Sequence, residues 1–392
     1  MAILFFISVF VILYTYLLYP MLITLLGTFF GKRVEKRYQP VPVSIVLAVR
    51  DEEDHIERRL ENLFQQDYPP ELIEVIIASD GSADRTVDIA REVGGDRVRI
   101  VETGRRMGKA AAINLGIENA SNGIVVFADA RQRFEENVLA ELTSMFHDSS
   151  VGAVSGELLL VKEESGDVSE GVGLYWEYEK LIRRKESAVD SVVGATGSIY
   201  AARKELIAPI PPYTLLDDFL IPMRIVLNGF RVIFVRSARA YDRVSKKASQ
   251  EFARKVRTLS GNFQAFAIEP ALLNPKKNRI FFQLVSHKVL RLVAPYFCVT
   301  ALLSNLFLSG LFFGTTLVLQ SLFYAAMLLG LTPLKRTRIG SPLRIAWTFG
   351  VLNAAAVAGL WVFLRRKERE IWRKTGANGL AGGRPSSPDN GS

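Results

Sequence analysis

The sequence predicts an α/β fold in which a domain with a mostly parallel sheet is flanked by apolar segments long enough to cross a membrane. Three observations support this prediction. Short apolar runs alternate with helical periodicity between residues 39 and 270, residues 2–31 carry no charged side chain, and a second apolar block begins near residue 289. The chain is 49% hydrophobic yet 23% charged, which indicates that apolar segments are segregated from a charged domain.

Charge and cysteine content narrow the function classes. The formal net charge is +9, and basic flanks beside the apolar runs account for it, because cytoplasmic loops collect Lys and Arg. We therefore expect no nucleic-acid partner. Cys298 is the only cysteine, so an intramolecular disulfide is excluded and a buried thiol is expected. His55, His147 and His287 form no metal-binding pattern, and we expect structural or solvated roles for all three.

Residues 1–31 are predicted to form an N-terminal transmembrane helix. A secretory signal peptide is the alternative, but it requires a positively charged start and a cleavage site of small residues. Here the first ten residues are uncharged, and four basic side chains follow the apolar run instead. A retained helix with its C-terminal end in the cytoplasm fits this charge pattern.

The C-terminal apolar block, residues 289–364, is predicted to contain two or three spans. Residues 289–331 suit two helices, and residues 345–364 suit a third. A third crossing would leave the basic and then disordered tail, residues 365–392, outside, against the positive-inside rule. Either one segment is re-entrant, or the count of spans is wrong. Residues 276–288 are predicted to form an interfacial helix, with an amphipathic helix packed on the domain as the alternative.

In the central domain, residues 39–270, predicted strands alternate with predicted helices, which is typical of a mostly parallel sheet. Its predicted elements are strands at residues 43–49, 74–78, 98–101 and 124–128, and helices at residues 55–66, 83–93 and 109–119. Polar clusters follow three of the strands, beginning at Arg50, Asp80 and Asp129. Each cluster by itself is also typical of a turn. Ligands of such sheets bind beyond the carboxyl ends of the strands, so the three clusters together predict a binding site there.

The same segments resemble family-2 glycosyltransferases of the GT-A fold. The resemblance covers about 230 residues, and the flanking spans are arranged as in the cellulose, chitin and hyaluronan synthases. The segments that carry it are VSIVLAVRDEEDHIERRLENLFQQDYPPELIEVIIASDGSADRTVDIA, GRRMGKAAAINLGIENASNGIVVFADA, VGATGSIYAARKEL, LLDDFLIPMRIVLNGFRVIFV and RKVRTLSGN.

The resemblance implies a set of side chains for a nucleotide-sugar donor, with a UDP-sugar favoured. Asp80 matches an aspartate that contacts the base or ribose, with a helix-capping turn as the alternative. The remaining positions that match donor-binding residues are Ala48, Arg50, Glu52, Lys109, Asp129, Arg131 and Arg257. Lys109 would be an anion site at a helix N-terminus.

The resemblance also implies a divalent cation, Mg²⁺ or Mn²⁺, bound by Asp129. This residue occupies the first position of the family's Asp-x-Asp motif, and the cation would bridge the donor diphosphate. Arg131 stands where the second acidic residue is expected. An Arg cannot bind a cation but can pair with phosphate, so the ligand set is expected to be unusual.

The resemblance assigns catalysis to Asp217 and Asp218, with Asp218 as the general base that takes the proton from an acceptor hydroxyl. A neighbouring carboxylate raises the pKa of such a base. In isolation the pair also fits a solvated helix N-cap. A single displacement of this kind inverts the anomeric configuration.

The acceptor side departs from the processive relatives, which carry Gln-x-x-Arg-Trp. Arg254 replaces the Gln, Arg257 matches the Arg, and Thr258 replaces the Trp. The missing stacking platform argues against long-chain processive synthesis. Trp176 is a candidate replacement, with a core helix as the alternative, and Gly197 is expected in an acceptor-side loop.

The sequence therefore predicts a membrane-bound inverting hexosyltransferase that extends a glycan, with its domain on the cytoplasmic side of the cell inner membrane. A polyprenyl phosphate or another lipid is the rival acceptor. A catalytically silent nucleotide-sugar sensor is the alternative from another class, motivated by Arg131 and the altered Gln-x-x-Arg-Trp. A transporter is disfavoured, because few charges interrupt the spans. Sugar, linkage and oligomeric state stay open.

Overall fold

The computed structural model describes residues 1–161, 170–243, 248–332 and 341–365. The helices are α1 (Ala2–Leu13), α2 (Tyr19–Phe29), α3 (Glu53–Phe64), α4 (Thr86–Gly94), α5 (Lys109–Asn119), α6 (Val138–Thr143), α7 (Glu170–Val189), α8 (Asp217–Leu227), α9 (Ala248–Ile268), α10 (Phe281–Leu284), α11 (Leu290–Asn305), α12 (Leu311–Leu329) and α13 (Ser341–Leu364). The strands are β1 (Val43–Val49), β2 (Ile73–Ser79), β3 (Val98–Glu102), β4 (Ile124–Ala128), β5 (Arg133–Phe134), β6 (Val151–Val161), β7 (Ile199–Arg203) and β8 (Arg231–Arg243). Two π-helical segments, Tyr14–Leu18 and Val285–Val289, connect α1 to α2 and α10 to α11.

The eight strands form one sheet in the order β3-β2-β1-β4-β7-β6-β8-β5. Strands β3, β2, β1 and β4 are parallel to one another, and β6 is parallel to β8. β7 runs antiparallel to both β4 and β6, and β5 runs antiparallel to β8. The predicted α/β class with a mainly parallel sheet is confirmed, and the four predicted strands agree with β1 to β4.

Both faces of the sheet are covered, because successive side chains of a strand point to opposite sides. Along β1, Ile45 and Leu47 belong to the core formed with α3, α4 and α6, whereas Val46 belongs to the core formed with α5, α8 and α9. All three side chains are buried. The second core continues to Leu284 and Leu292, so the C-terminal helices dock on this face.

Within the described ranges, three helices are long and apolar enough to cross a membrane: Ala2–Phe29, Leu311–Leu329 and Pro342–Leu364. The structure differs from the predicted separate interfacial helix at residues 276–288. Residues 281–305 are helical throughout, because the π-helical segment joins α10 directly to α11. Residues 276–280 precede this helix, and only residues 281–288 of the predicted stretch belong to it. Except for Arg365, the predicted tail lies outside the described residues.

Helix α13 packs along α9 of the central domain, although its length and composition suit a membrane span. Gly359 lies against the backbone of α9, where an added Cβ would come within 2.9 Å of the Ser260 nitrogen. The rings of Phe263 and Phe363 are stacked with their centroids 6.0 Å apart. The C-terminal end of α13 thus packs on the central domain.

A buried polar cluster joins α2, α7 and the continuous helix of residues 281–305. The Tyr19 hydroxyl donates to Glu186 at 2.5 Å, and His287 Nδ1 lies 2.8 Å from the same carboxylate oxygen. His287 Nε2 lies 3.0 Å from Glu179, which also pairs with Arg291. His287 is therefore structural, as predicted, and the cluster fixes the orientation of three helices from distant parts of the chain.

We expect Tyr19→Phe to destabilise the protein more than Tyr14→Phe. Tyr19 loses a hydrogen bond to a buried carboxylate, which contributes about 1.5–3 kcal/mol, whereas a neutral pair contributes about 0.5–1.5 kcal/mol. Tyr14 makes such a neutral pair with Ser286 at 2.8 Å. Thermal unfolding in detergent micelles measures both changes. Equal shifts in melting temperature for the two variants would contradict a special contribution of the Glu186 carboxylate.

Candidate active site

The candidate site lies at the carboxyl ends of β1, β2 and β4. Asp80 directly follows β2 and is 2% exposed. Its carboxylate accepts hydrogen bonds from the backbone N–H groups of Met107 at 2.6 Å and Gly108 at 2.8 Å. Gly108 has a φ of +107°, a conformation that favours glycine. In this structure Asp80 therefore holds the loop that precedes α5, whereas the resemblance implied a direct nucleotide contact.

Lys109, the first residue of α5, bridges two of the predicted site carboxylates. Its Nζ lies 2.9 Å from Asp129 Oδ1 and 3.9 Å from Asp217 Oδ1. Burial acts to lower the pKa of Lys109, but the two carboxylates outweigh it, and the pKa of Lys109 is raised. The ammonium group therefore stays protonated and offsets the charge of the acidic cluster.

Asp218 lies at the start of α8, half-buried beside the loop that contains Gly197. Burial and the neighbouring Asp217 carboxylate raise the pKa of Asp218 to about 6. Its backbone oxygen accepts a hydrogen bond from Ala195 at 2.7 Å. A Cβ at Gly197 would come within 2.8 Å of Asp218 Oδ2, so the glycine leaves room for the carboxylate. A base with this pKa is ionised at neutral pH yet still able to hold a proton.

Arg257 on α9 is close enough to the acidic residues for their charges to interact. Its charge interacts most strongly with Asp218 and also with Asp217 and Asp129. The half-buried guanidinium makes no ion pair with any residue in the described ranges, and its buried Nε has no hydrogen-bond partner there. Arg254 lies one turn earlier on α9 and is exposed. The arrangement leaves a guanidinium group available for an anion.

The loop after β1 brings together two more of the predicted residues. Arg131 Nε lies 3.4 Å from Glu52 Oε1, and the Arg131 side chain is 61% exposed. Burial raises the pKa of Glu52, although the Arg131 charge opposes the shift. Arg50 pairs with Asp51 at 3.5 Å, and Ala48 is half-buried near the end of β1.

The structure does not bring Trp176 into hydrogen-bonding contact with these carboxylates. It is half-buried on α7, and its neighbour Tyr178 donates to the Tyr16 backbone oxygen at 2.9 Å. This part of α7 therefore packs on the N-terminal helix, which agrees with the alternative of a core helix. The acceptor role of Trp176 stays a prediction.

Charged residues of α7 and of the helix at residues 281–305 also act on the site. The sequence analysis did not predict them. The charges of Lys288 and Arg183 both act on Asp218. A signal was present in α7, because Glu179 and Glu186 are seven residues apart and therefore lie on one helix face. Their partners come from residues 100 or more positions away, and no local pattern indicated them.

The side chains that could bind a metal suit a divalent cation held mainly by the phosphates of a bound substrate. No group of three His, Cys, Asp or Glu side chains within the described ranges is placed to hold a metal. Mg²⁺ is usually bound by one or two carboxylates together with substrate phosphates. Asp129, which is 32% exposed at the site, fits such a role, whereas Arg131 does not.

We expect Arg257→Gln to raise the KM for a nucleotide-sugar donor about tenfold or more, because a hydrogen-bonded charge contributes about 1.5–3 kcal/mol. Lys255→Gln is the matched control. Lys255 lies on the same helix and pairs with Glu251 at 3.2 Å, away from the acidic cluster. Steady-state kinetics over a donor concentration series measure the effect. Unchanged donor KM in Arg257→Gln would remove this residue from the donor site.

The comparisons with known proteins agree with this geometry. Residues 44–208 match the sequence profile of Glycosyl transferase family 2. The chain is 26% identical over 173 residues to glycosyltransferase AglE of Haloferax volcanii, which covers 44% of this chain and 55% of that protein. It is 25% identical over 232 residues to a poly-β-1,6-N-acetyl-D-glucosamine synthase of Staphylococcus aureus, covering 57% of this chain and 55% of the relative. The chain thus spans about half the length of the curated relatives it matches.

A solved structure is similar over nearly the whole fold. It is the mannosyltransferase PcManGT from Pyrobaculum calidifontis in complex with GDP-Man and Mn²⁺, with a TM-score of 0.71 and 22% sequence identity. The match covers 92% of this chain and 99% of that protein. At this identity the similarity establishes the GT-A fold, including the helices outside the central domain.

Proposed function

We propose, from the premise that residues 44–208 form a glycosyl transferase family 2 domain, that this chain is a membrane-bound inverting glycosyltransferase that transfers a sugar from a nucleotide-sugar donor to a glycan. One observation carries the proposal. Asp218 is a half-buried carboxylate with a raised pKa, its charge interacts with that of Arg257, and it lies against Gly197.

The residues support a single-displacement mechanism. Asp218 accepts the proton of an acceptor hydroxyl as that oxygen attacks the anomeric carbon. The bond between this carbon and the donor phosphate oxygen breaks, and its electron pair leaves with the nucleoside diphosphate. Arg257 and Lys109 offset the negative charge on the departing diphosphate. Attack from the face opposite the leaving group inverts the anomeric configuration.

We place a divalent cation, Mg²⁺ or Mn²⁺, on Asp129 and the donor diphosphate. When bound, such an ion withdraws charge from the departing diphosphate. Asp129 would hold it through the carboxylate that Lys109 contacts here. The Mn²⁺ in the structurally similar mannosyltransferase supports a cation at this site. Arg131 would contact phosphate directly, after release from Glu52.

The donor nucleoside is part of the proposal. Resemblance to polysaccharide synthases favours a UDP-sugar, whereas the similar mannosyltransferase structure contains GDP-Man. The residues facing the base are Ala48, Arg50 and Glu52, with Asp80 as the positioning residue of the neighbouring loop. Hydrogen-bonding groups of this kind can serve either base, so both classes of donor belong in the assay.

We place the chain in the cell inner membrane as a multi-pass protein with its domain in the cytoplasm. Lys32, Arg33, Lys36 and Arg37 follow the first apolar helix, as the positive-inside rule requires. If α11 and α12 form a hairpin in the membrane and α13 lies against α9, the basic tail is cytoplasmic as well. This arrangement removes the conflict that three full crossings created.

The experiment that tests the function is donor turnover by the purified chain in detergent or liposomes. A panel of UDP- and GDP-sugars is offered with Mn²⁺ or Mg²⁺ and glycan acceptors, and released nucleoside diphosphate and sugar product are both measured. Turnover of one donor with an inverted product is expected. Donor binding without consumption would instead favour the silent sensor, which the Arg131 substitution motivates.

A further inference from the structure

Two cationic side chains from outside the predicted donor-binding set interact with Asp218. Lys288 belongs to the π-helical segment, and Arg183 belongs to α7. The charges that act on Lys288 are those of Glu179, Arg291, Arg183 and Asp218. Asp218 also interacts with Arg257 on α9. Asp218 is therefore close enough to Lys288, Arg183 and Arg257 for its charge to interact with all three.

Lys288 is available for a ligand, whereas Arg183 is already held in place. The Arg183 guanidinium donates to Thr196 Oγ1 at 2.8 Å and to Ser155 Oγ at 2.9 Å. The half-buried Lys288 ammonium makes no hydrogen bond or ion pair with any residue of the described chain. A half-buried ammonium without a partner is costly unless an anion compensates for lost water. An anion bound next to Asp218 would therefore stabilise the Lys288 ammonium group.

The residues next to Lys288 in the chain hold its backbone in place. Its neighbour His287 is 3% exposed and lies between the carboxylates of Glu186 and Glu179. The segment is π-helical, a local widening that is frequent at functional sites. The buried histidine therefore anchors the backbone, and the next residue is directed to the acidic site.

An apolar groove begins farther along the same helix. It has a volume of about 530 Å³ and is open between α11 and α13. Tyr296 follows Lys288 by eight residues, or about 12 Å along a continuous helix. Tyr296 and Trp361 are 42% and 55% exposed. The residues that line the groove are Tyr296, Ala354, Val357, Ala358, Leu360, Trp361 and Leu364.

We propose that the acceptor is a sugar linked through phosphate to a polyprenyl-type lipid, with the phosphate bound by Lys288 beside Arg183 and the lipid chain in the α11–α13 groove. The inference rests on the proposed transferase function. Charge complementarity selects the occupant, because a bulk zwitterionic lipid brings no net negative charge to Lys288. One end of the ligand must be anionic, and a hydroxyl group must reach Asp218.

The transfer step then requires only the donor, the acceptor and Asp218 as the proton acceptor. The sugar hydroxyl of the lipid-linked acceptor loses its proton to Asp218, and its oxygen forms the new glycosidic bond. The donor's anomeric carbon releases the nucleoside diphosphate with the bonding electron pair. The acceptor's own phosphate–sugar bond stays intact, and Lys288 only positions it.

The test compares acceptors in phosphatidylcholine liposomes that contain the full chain. The acceptors are a long-chain polyprenyl diphosphate carrying one N-acetylhexosamine, its short-chain farnesyl analogue, bare polyprenyl phosphate and the methyl glycoside of the same sugar. We expect Lys288→Met to raise the KM for the lipid-linked sugar about tenfold to a hundredfold, the effect of losing a charged hydrogen bond. Lys288→Arg should restore part of it, and exposed Lys277→Met is the matched control.

Two further readouts separate this role from a structural one. Removing the Lys288 charge should move the acid limb of the pH–rate profile upward, because that charge lowers the pKa of Asp218 against the effects of burial and Asp217. The other charges acting on Asp218 are those of Lys109, Asp129, Arg183 and Arg257. Ala358→Phe, which fills the groove, should raise the KM for the long-chain acceptor only. Leu319→Phe on exposed α12 is its control.

The outcomes are distinguishable. If no donor is consumed with any acceptor, the proposed function itself fails. If the methyl glycoside is used as well as the lipid-linked sugar, or Lys288→Met leaves every KM unchanged, the transferase stands and the lipid–phosphate site is wrong. Equal use of bare polyprenyl phosphate would overturn the placement of a sugar hydroxyl at Asp218. An Ala358→Phe variant without effect would leave the groove to bulk lipid.

Discussion

Asp218→Asn is expected to lower kcat about a hundredfold to ten-thousandfold, the usual contribution of a general base. Asn has nearly the same shape but cannot take the acceptor proton, so the KM for the donor should change little. The structure places no cation in contact with Asp218, and the amide should therefore be accommodated without a lost ion pair among the described residues. Released nucleoside diphosphate, followed at saturating donor and acceptor, measures the change.

The wild-type pH–rate profile provides a second check on the same residue. The base acts in its deprotonated form, so kcat/KM should rise as the pH increases through about 6, the raised pKa of Asp218. An ordinary aspartate would give an acid limb near pH 4. Asp96→Asn, which changes an exposed carboxylate far from the site, is the matched control. If turnover by Asp218→Asn stays within a fewfold of wild type, another group is the base.

Asp129→Asn is expected to lower kcat/KM for the donor on the order of a hundredfold to a thousandfold, because a bound divalent cation supplies several kcal/mol of charge stabilisation. The amide of this variant keeps an oxygen for Lys109, which contacts Asp129 at 2.9 Å in the wild type. The same neutral amide is a poor ligand for Mg²⁺ or Mn²⁺. The loss should therefore reflect the metal more than a collapse of the site.

Calorimetric titration with the nucleoside diphosphate, with and without Mn²⁺, separates these effects. Wild-type affinity should increase when Mn²⁺ is present, whereas the affinity of Asp129→Asn should not respond. The same Mn²⁺ dependence in both proteins would show that Asp129 is not the metal ligand. In that case the cations Lys109, Arg131 and Arg257 would remain as the groups that offset the diphosphate charge.

Much of the central domain was predictable because its signals are local. The run Val43–Val49 is apolar at every position except Ser44, as is expected of a strand buried on both faces. The helix at Lys109–Asn119 has the predicted bounds. The antiparallel part of the sheet was not predicted. Strand β7 pairs with β4 across more than 70 residues, and no local pattern specifies such a partner.

Sequence patterns alone predicted the fold class, the family resemblance and the acidic residues at the strand ends and the start of α8. These depend on hydrophobic periodicity and on motifs within short segments. Folding was needed to show that Asp80 holds a loop, that α13 lies on α9, and that the charges of Lys288 and Arg183 act on Asp218. A buried charge is costly without a partner or a ligand. The charged groups around Asp218 come from α7, α8 and the helix at residues 281–305, and only folding brings these elements together.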